Sequence, residues 1–140
     1  MKRKSGPRPG TSIGVDLEQI RRFRAHSFSK EKRFWVHIFS ARELERLATY
    51  TDPYPHAAGM FTAKEAVVKS LSFFKKKLSI RDIEVLHEKD GRPIVFIRSL
   101  KDMTCQVSIS HTLEYACAAA VCQETTSNKK YGTKRNTRAD

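Results

Sequence analysis

No stretch of this chain is apolar for long enough to cross a membrane, and its basic N-terminus carries no apolar segment resembling a signal peptide. A soluble, cytoplasmic protein is the expectation. Cysteines are few and poorly spaced for a structural role. Cys105, Cys117 and Cys122 form no C-x-x-C pair, are odd in number, and lie in apolar, strand-like surroundings. They read as small buried thiols in a reducing compartment rather than as a disulfide framework. His111 has an ordinary reading as a loop histidine, and the other four, at 26, 37, 56 and 87, show no metal-ligand spacing, which speaks against zinc. The sequence contains no internal repeat.

Acidic residues are missing from one end and scarce at the other. Of the net charge of +12, four charges lie within residues 1–10 and four within 125–140, which leaves +4 on residues 11–124. These polar, aromatic-poor ends have little to bury, so 1–11 and 125–140 are expected as disordered basic tails around one folded domain, 12–124. A nucleic-acid module gripping phosphate through its tails is one reading of the charge. It ranks low because the core lacks interleaved basic and aromatic stripes. A mildly basic core suits a phosphorylated ligand or an acidic protein partner.

Within the core, Ser12–Leu17 reads as a strand whose Ile13-Gly14-Val15 run is buried, and Glu18–His26 as a short helix or turn region. Ser40 with Glu43 three residues on is a capping box ahead of Leu44 and Leu47, a better helix start than Ser29. Asp52-Pro53-Tyr54-Pro55 stops that helix. His56–Leu71 has near-helical apolar spacing and is the expected central helix. Ile83 and Val85 alternate with acids, Lys89-Asp90-Gly91 turns the chain, and Pro93–Ile97 resumes as a strand. Cys105–Ile109 and Tyr115–Val121 follow as apolar runs, the second ambiguous between strand and buried helix. The order predicts an α+β fold, a largely antiparallel sheet packed against a long central helix.

Two carboxylates stand out. Asp16 closes the first strand-like run, and Glu65 lies in Phe61-Thr62-Ala63-Lys64-Glu65-Ala66-Val67-Val68-Lys69 with Lys69 one turn further along the same face. Each has an ordinary reading: Asp16 as a helix cap, Glu65–Lys69 as a surface ion pair. Together they have a chemical one. A carboxylate on a strand and another on a lysine-flanked helix can hold Mg2+ and the phosphates it carries, since magnesium takes one or two carboxylates and keeps waters.

These pieces, with Gly14-Val15-Asp16, Asp82-Ile83-Glu84-Val85, Asp90-Gly91-Arg92-Pro93 and Val107-Ser108-Ile109-Ser110-His111-Thr112, closely resemble holo-acyl-carrier-protein synthases, the small-subunit class of 4′-phosphopantetheinyl transferases. The resemblance spans roughly residues 12–122. It implies transfer of phosphopantetheine from coenzyme A to a serine of an acidic acyl carrier protein, in a homotrimer with sites between subunits. It implies Asp16 and Glu65 as magnesium ligands, Glu65 and Lys69 in catalysis, and Lys69 on phosphate. Gly91, Arg92 and Pro93 would lie near the nucleotide, and His111 would reach the coenzyme from a neighbouring subunit. Arg22, within the Arg21, Arg22 and Arg24 cluster, matches a carrier-protein position. Two positions depart from the family pattern: Met60 stands where arginine is common, and Ser72 where the helix usually ends in glycine. Lys64, or the lysines at 75–77, are expected to bind the phosphate that an arginine at position 60 would reach. A relative that binds coenzyme A or carrier protein without turnover is the remaining alternative.

Overall fold

The computed structural model describes residues 10–125. The expected tails fall almost entirely outside the described residues. Strand β1 (Thr11–Gln19) is followed by helices α1 (Arg21–Arg24), α2 (Lys32–Ile38), α3 (Ala41–Ala48) and α4 (Tyr54–Ser72). Strands β2 (Ile83–His87), β3 (Pro93–Ile97), β4 (Met103–His111) and β5 (Tyr115–Glu124) complete the chain. All strand pairs are antiparallel, but they form two sheets, β1-β5-β4 and β2-β3. The first strand pairs with the last, so both ends of the domain meet on one sheet.

Local chemistry explains the boundaries. Ser40 caps α3 through the Glu43 amide, and the Glu43 carboxylate accepts from the Ser40 amide, the reciprocal pair expected. Pro53 and Pro55 start α4, where an absent N–H costs nothing. Gly91 takes φ +87° in the β2–β3 turn, a conformation that favours glycine.

Helix α4 is buried on most of its circumference because it belongs to two cores. Its C-terminal half packs Ala63, Ala66, Val67 and Leu71 against Ile83, Val85, Ala118, Ala120 and Cys122. Its N-terminal half packs Ala57, Ala58 and Met60 against an aromatic cluster that includes Phe23, Trp35 and Phe39. The sheet side is lined by small residues, and at Gly14 the contact leaves no room at all. A Cβ there would lie 2.0 Å from the Ala66 carbonyl oxygen and 2.7 Å from the Ser70 amide nitrogen.

Two expectations need correction. The Ile13-Gly14-Val15 run is a strand but not a buried one. Ile13, Val15 and Leu17 are 72%, 54% and 61% exposed, while Ser12, Gly14 and Asp16 turn toward α4. Tyr115, Cys117, Ala119 and Val121 face the same way on β5, whose inner face carries Ala116, Ala118, Ala120 and Cys122. The cysteines also differ from expectation. Hairpin register sets Cys105 directly across from Cys122, Cα atoms 4.1 Å apart, and the two are disulfide-bonded; Cys117 is a free, exposed thiol. Spacing along the chain could not reveal a pairing that depends on strand register.

Two outcomes follow from these contacts. Gly14→Ala is expected to destabilise the fold by about 3 kcal/mol, the upper range for overpacking, because the neighbour is backbone and cannot rotate away; a urea midpoint measures this. Thiol titration of the oxidised native protein should find one reactive cysteine, Cys117, and three after reduction and unfolding.

Candidate active site

Beside the Gly14 contact, β1 and α4 are laced by side chains. Ser12 Oγ donates to the Ser70 carbonyl at 2.8 Å. Lys69 Nζ donates to Asp16 Oδ1 at 2.9 Å and to the Val15 carbonyl at 3.1 Å. Asp16 lies within β1, three residues before its end, so it caps no helix. Burial pushes the Glu65 carboxyl above the usual carboxylate range, and the Asp16 charge adds to the rise; Lys69 opposes it, Glu18 adds to it, and Arg22 opposes it. The Asp16 hydrogen bond and charge hold the Lys69 ammonium above its ordinary range. Asp16, Glu65 and Lys69 therefore stand within one another's electrostatic reach.

The donor set fits a hard divalent cation. Two carboxylates are close enough that one raises the other's affinity for a proton, and a cation between them would relieve that repulsion. Among the described residues no three metal-ligating side chains converge, so substrate phosphate and water would have to supply the remaining ligands.

Lys64 is not part of this cluster. Its side chain is 1% exposed and its ammonium donates to Glu43 Oε2 at 2.6 Å and to the Ile38 carbonyl at 2.8 Å. Glu43 also accepts from the Val85 amide at 2.7 Å and from the Ser40 amide at 2.7 Å. Burial pulls the Lys64 ammonium below its ordinary range, and Glu43 offsets part of the fall. The expectation that Lys64 contacts phosphate is corrected: consecutive helix residues point about 100° apart, so Glu65 faces outward and Lys64 inward. The lysines at 75–77 cannot substitute at Met60 either, because they follow the opposite end of α4.

Gly91, Arg92, Pro93 and His111 do converge, around a cavity of about 410 Å³ that is also lined by His56, Gly59, Met60 and His87. At about 100° per residue, positions 56, 59 and 60 lie about 120–180° around α4 from Glu65. The carboxylate edge and the cavity are thus on opposite flanks of the same helix.

The arginine cluster splits three ways. Arg22 pairs with Glu18 at 2.5 Å, beside Glu65. Arg24 is committed to Asp52 through two hydrogen bonds, 3.1 and 2.6 Å, and lies over the Tyr54 ring. Arg21 reaches Gln19 Oε1 at 2.5 Å. Three residues near these sites fall outside the sequence motifs. Glu18 was findable, since residues 16 and 18 of a strand share a face. His56 and His87 come from different elements and carry no local signal.

The fold and the two flanks describe a protein equipped to hold a polyanionic substrate, with a carboxylate pair at one part of it. The chain belongs to the 4′-phosphopantetheinyl transferase superfamily, whose model matches residues 12–120. A holo-[acyl-carrier-protein] synthase of Caldanaerobacter subterraneus is 33% identical over 119 residues, covering 78% of this chain and 91% of the relative. One from Chlamydia caviae is 38% identical over 115 residues, covering 78% and 93%. The solved Chronobacterium ammoniagenes ACPS–CoA complex superposes with a TM-score of 0.68 at 27% identity, covering 82% of this chain and 98% of that one.

Lys64→Met would leave Glu43 buried without its counter-charge, and is expected to cost about 3–5 kcal/mol. Chemical denaturation of Lys64→Met, Glu43→Gln and the double variant measures it. The double variant should be destabilised by less than the two single variants combined.

Proposed function

We propose that this protein is a holo-[acyl-carrier-protein] synthase. It transfers 4′-phosphopantetheine from coenzyme A to a serine of an apo-acyl carrier protein and releases adenosine 3′,5′-bisphosphate. Membership of the family supports the reaction class, and the Asp16–Lys69–Glu65 cluster is the observation that carries the assignment to this chain's residues. In the proposed reaction the serine oxygen attacks the β-phosphorus and forms the new O–P bond as the bridging oxygen leaves with the nucleotide. Glu65 takes the serine proton, directly or through one water. Lys69 sets its charge toward the pyrophosphate, and stabilises the negative charge that builds there. Asp16 and Glu65 are the residues that would hold Mg2+, which when bound supplies electrostatic stabilisation to the same oxygens.

The folded unit, 12–124, would act as a homotrimer. Its carboxylate edge and basic cavity sit on opposite flanks of α4, so a site made of both is more readily completed by a second subunit. The exposed apolar face of Ile13, Val15, Leu17, Tyr115 and Val121 is suited to bury against other copies. Arg21 and Arg22, with Arg24 fixed alongside, offer an acidic carrier protein a basic approach to Glu65. Among the described residues no helix is long and apolar enough to cross a membrane. We assign the reaction to the cytoplasm, where the Cys105–Cys122 bridge would meet a reducing thiol pool.

Incubated with coenzyme A, magnesium and an apo-carrier protein, the enzyme should add one phosphopantetheine mass to the carrier. Glu65→Gln should lower this rate by about two to four orders of magnitude, and a variant at full rate would remove Glu65 from the mechanism. The same substitution should raise the melting temperature at neutral pH. Because the folded-state proton affinity of Glu65 is raised, its charge costs stability above the unfolded carboxylate pKa, and that cost fades as the pH falls. Melting curves at neutral and acidic pH should therefore differ in how much the variant gains.

A further inference from the structure

Two features of this chain take no part in the chemistry above: the lysines at 75–77 and the basic ends. The fold brings them to one place. The Thr125 amide donates to the Asp102 carbonyl at 2.7 Å, and the Asp102 carboxylate pairs with Lys76 Nζ at 3.4 Å. The Glu124 amide donates to the Gly10 carbonyl at 2.8 Å. The chain therefore enters and leaves the described unit beside the turn that follows α4. Residues 1–9 carry four basic residues and no acid, and 126–140 carry five basic residues and one acid. With Lys75, Lys76, Lys77 and Lys101, this pole gathers most of the net charge of +12.

The turn holds its cations outward. Among the described residues Lys75 is the one non-glycine residue at positive φ, +57°. It precedes Lys76, whose amide returns to the Leu71 carbonyl at 3.3 Å, a place after a helix that glycine fills most easily. A lysine there keeps a charge at a backbone position that disfavours it. Lys75 and Lys77 are exposed, and among the described residues neither side chain has a hydrogen-bond or ion-pair partner. In the same turn Phe73 is 47% exposed and packs at 88° against Phe74, ring centroids 5.3 Å apart. An apolar knob beside lysines suits the headgroup layer of an anionic bilayer, where the ring enters and the cations meet lipid phosphate. Nucleic-acid bases stack on flat ring faces, and these two rings turn an edge and a face to each other instead.

We propose that this pole is a peripheral docking surface for an anionic phospholipid membrane. Phe73 inserts at headgroup depth, Lys75 and Lys77 meet the lipid phosphates, and the charges of the two ends strengthen the attraction at a distance. Among the described residues no helix is long and apolar enough to cross a membrane, so the attachment lies on its surface. The surface is independent of the reaction proposed above and adds a place to it.

Sedimentation of the full chain with vesicles tests this. Phosphatidylcholine vesicles containing about one-third phosphatidylglycerol should carry the protein down, and phosphatidylcholine alone should not. Raising the salt from about 0.1 M to about 0.5 M should release most of it. Each basic residue lost is expected to weaken binding about fivefold. Lys75→Gly should weaken it by about that factor while holding or raising the melting temperature, since glycine suits the left-handed backbone. Lys75→Gln combined with Lys77→Gln should weaken it about twentyfold. In Phe73→Trp the emission should shift to the blue on the anionic vesicles and not on the neutral ones. Equal binding to both vesicles, full binding by the double lysine variant, or an unshifted tryptophan on anionic vesicles overturns the proposal. So does a single-stranded RNA that binds more tightly than the anionic vesicles at the same salt.

Discussion

The approach of β1 to α4 at Gly14 is the contact on which the arrangement of this molecule depends. A strand and a helix can lie this close only where the strand offers no side chain, and here the helix backbone occupies the space a Cβ would need. The consequences run outward from that point. Two residues along the strand, Asp16 is brought within hydrogen-bond reach of Lys69, and the Glu65 carboxylate is held in its field. In the other direction Ser12 bonds to Ser70 and fixes the axial position of the helix. On the neighbouring strand, Ala118 and Ala120 continue the same thin layer, so the helix lies close along its length.

Helix α4 has little free surface left after serving two cores. From its middle onward the positions not buried are Phe61, Glu65, Val68, Lys69 and Ser72, which recur at intervals of three and four and form one stripe. The proposed chemical residues lie on that stripe. The buried pair Lys64–Glu43 sits inside the opposite wall and joins α4, α3, the end of α2 and β2 through four hydrogen bonds. An all-apolar wall would have packed the same volume, but it would not have fixed which carbonyl and which amides face one another.

Much of this was legible in the residue order. The capping box at Ser40, the proline stop, the central helix and the strand–turn–strand around Gly91 are local signals, each set by a few neighbouring residues. The pairing of Asp16 with the Glu65–Lys69 turn was legible as well, because family likeness supplied what spacing alone left open. The failures share a cause. Which face of β1 is covered, whether Cys105 meets Cys122, and which way Lys64 points are all decided by elements distant in the chain. Ile13 and Val15 read as core because apolar residues in a strand usually are; only the sheet's partnering shows that Ser12, Gly14 and Asp16 face inward here. His56 and His87, 31 residues apart, share a cavity through topology and nothing else.

Lys64 and Glu65 are adjacent letters that answer to different parts of the molecule. The lysine's counterpart is Glu43, on another helix, and the glutamate's is Asp16, on the first strand. On the proposed reaction, a residue-by-residue scan for activity would score both positions as indispensable for unrelated reasons, one reporting assembly of the chain and the other its work. A change at position 64 alone leaves Glu43 buried without its counter-charge, whereas a change at position 65 leaves that buried pair intact.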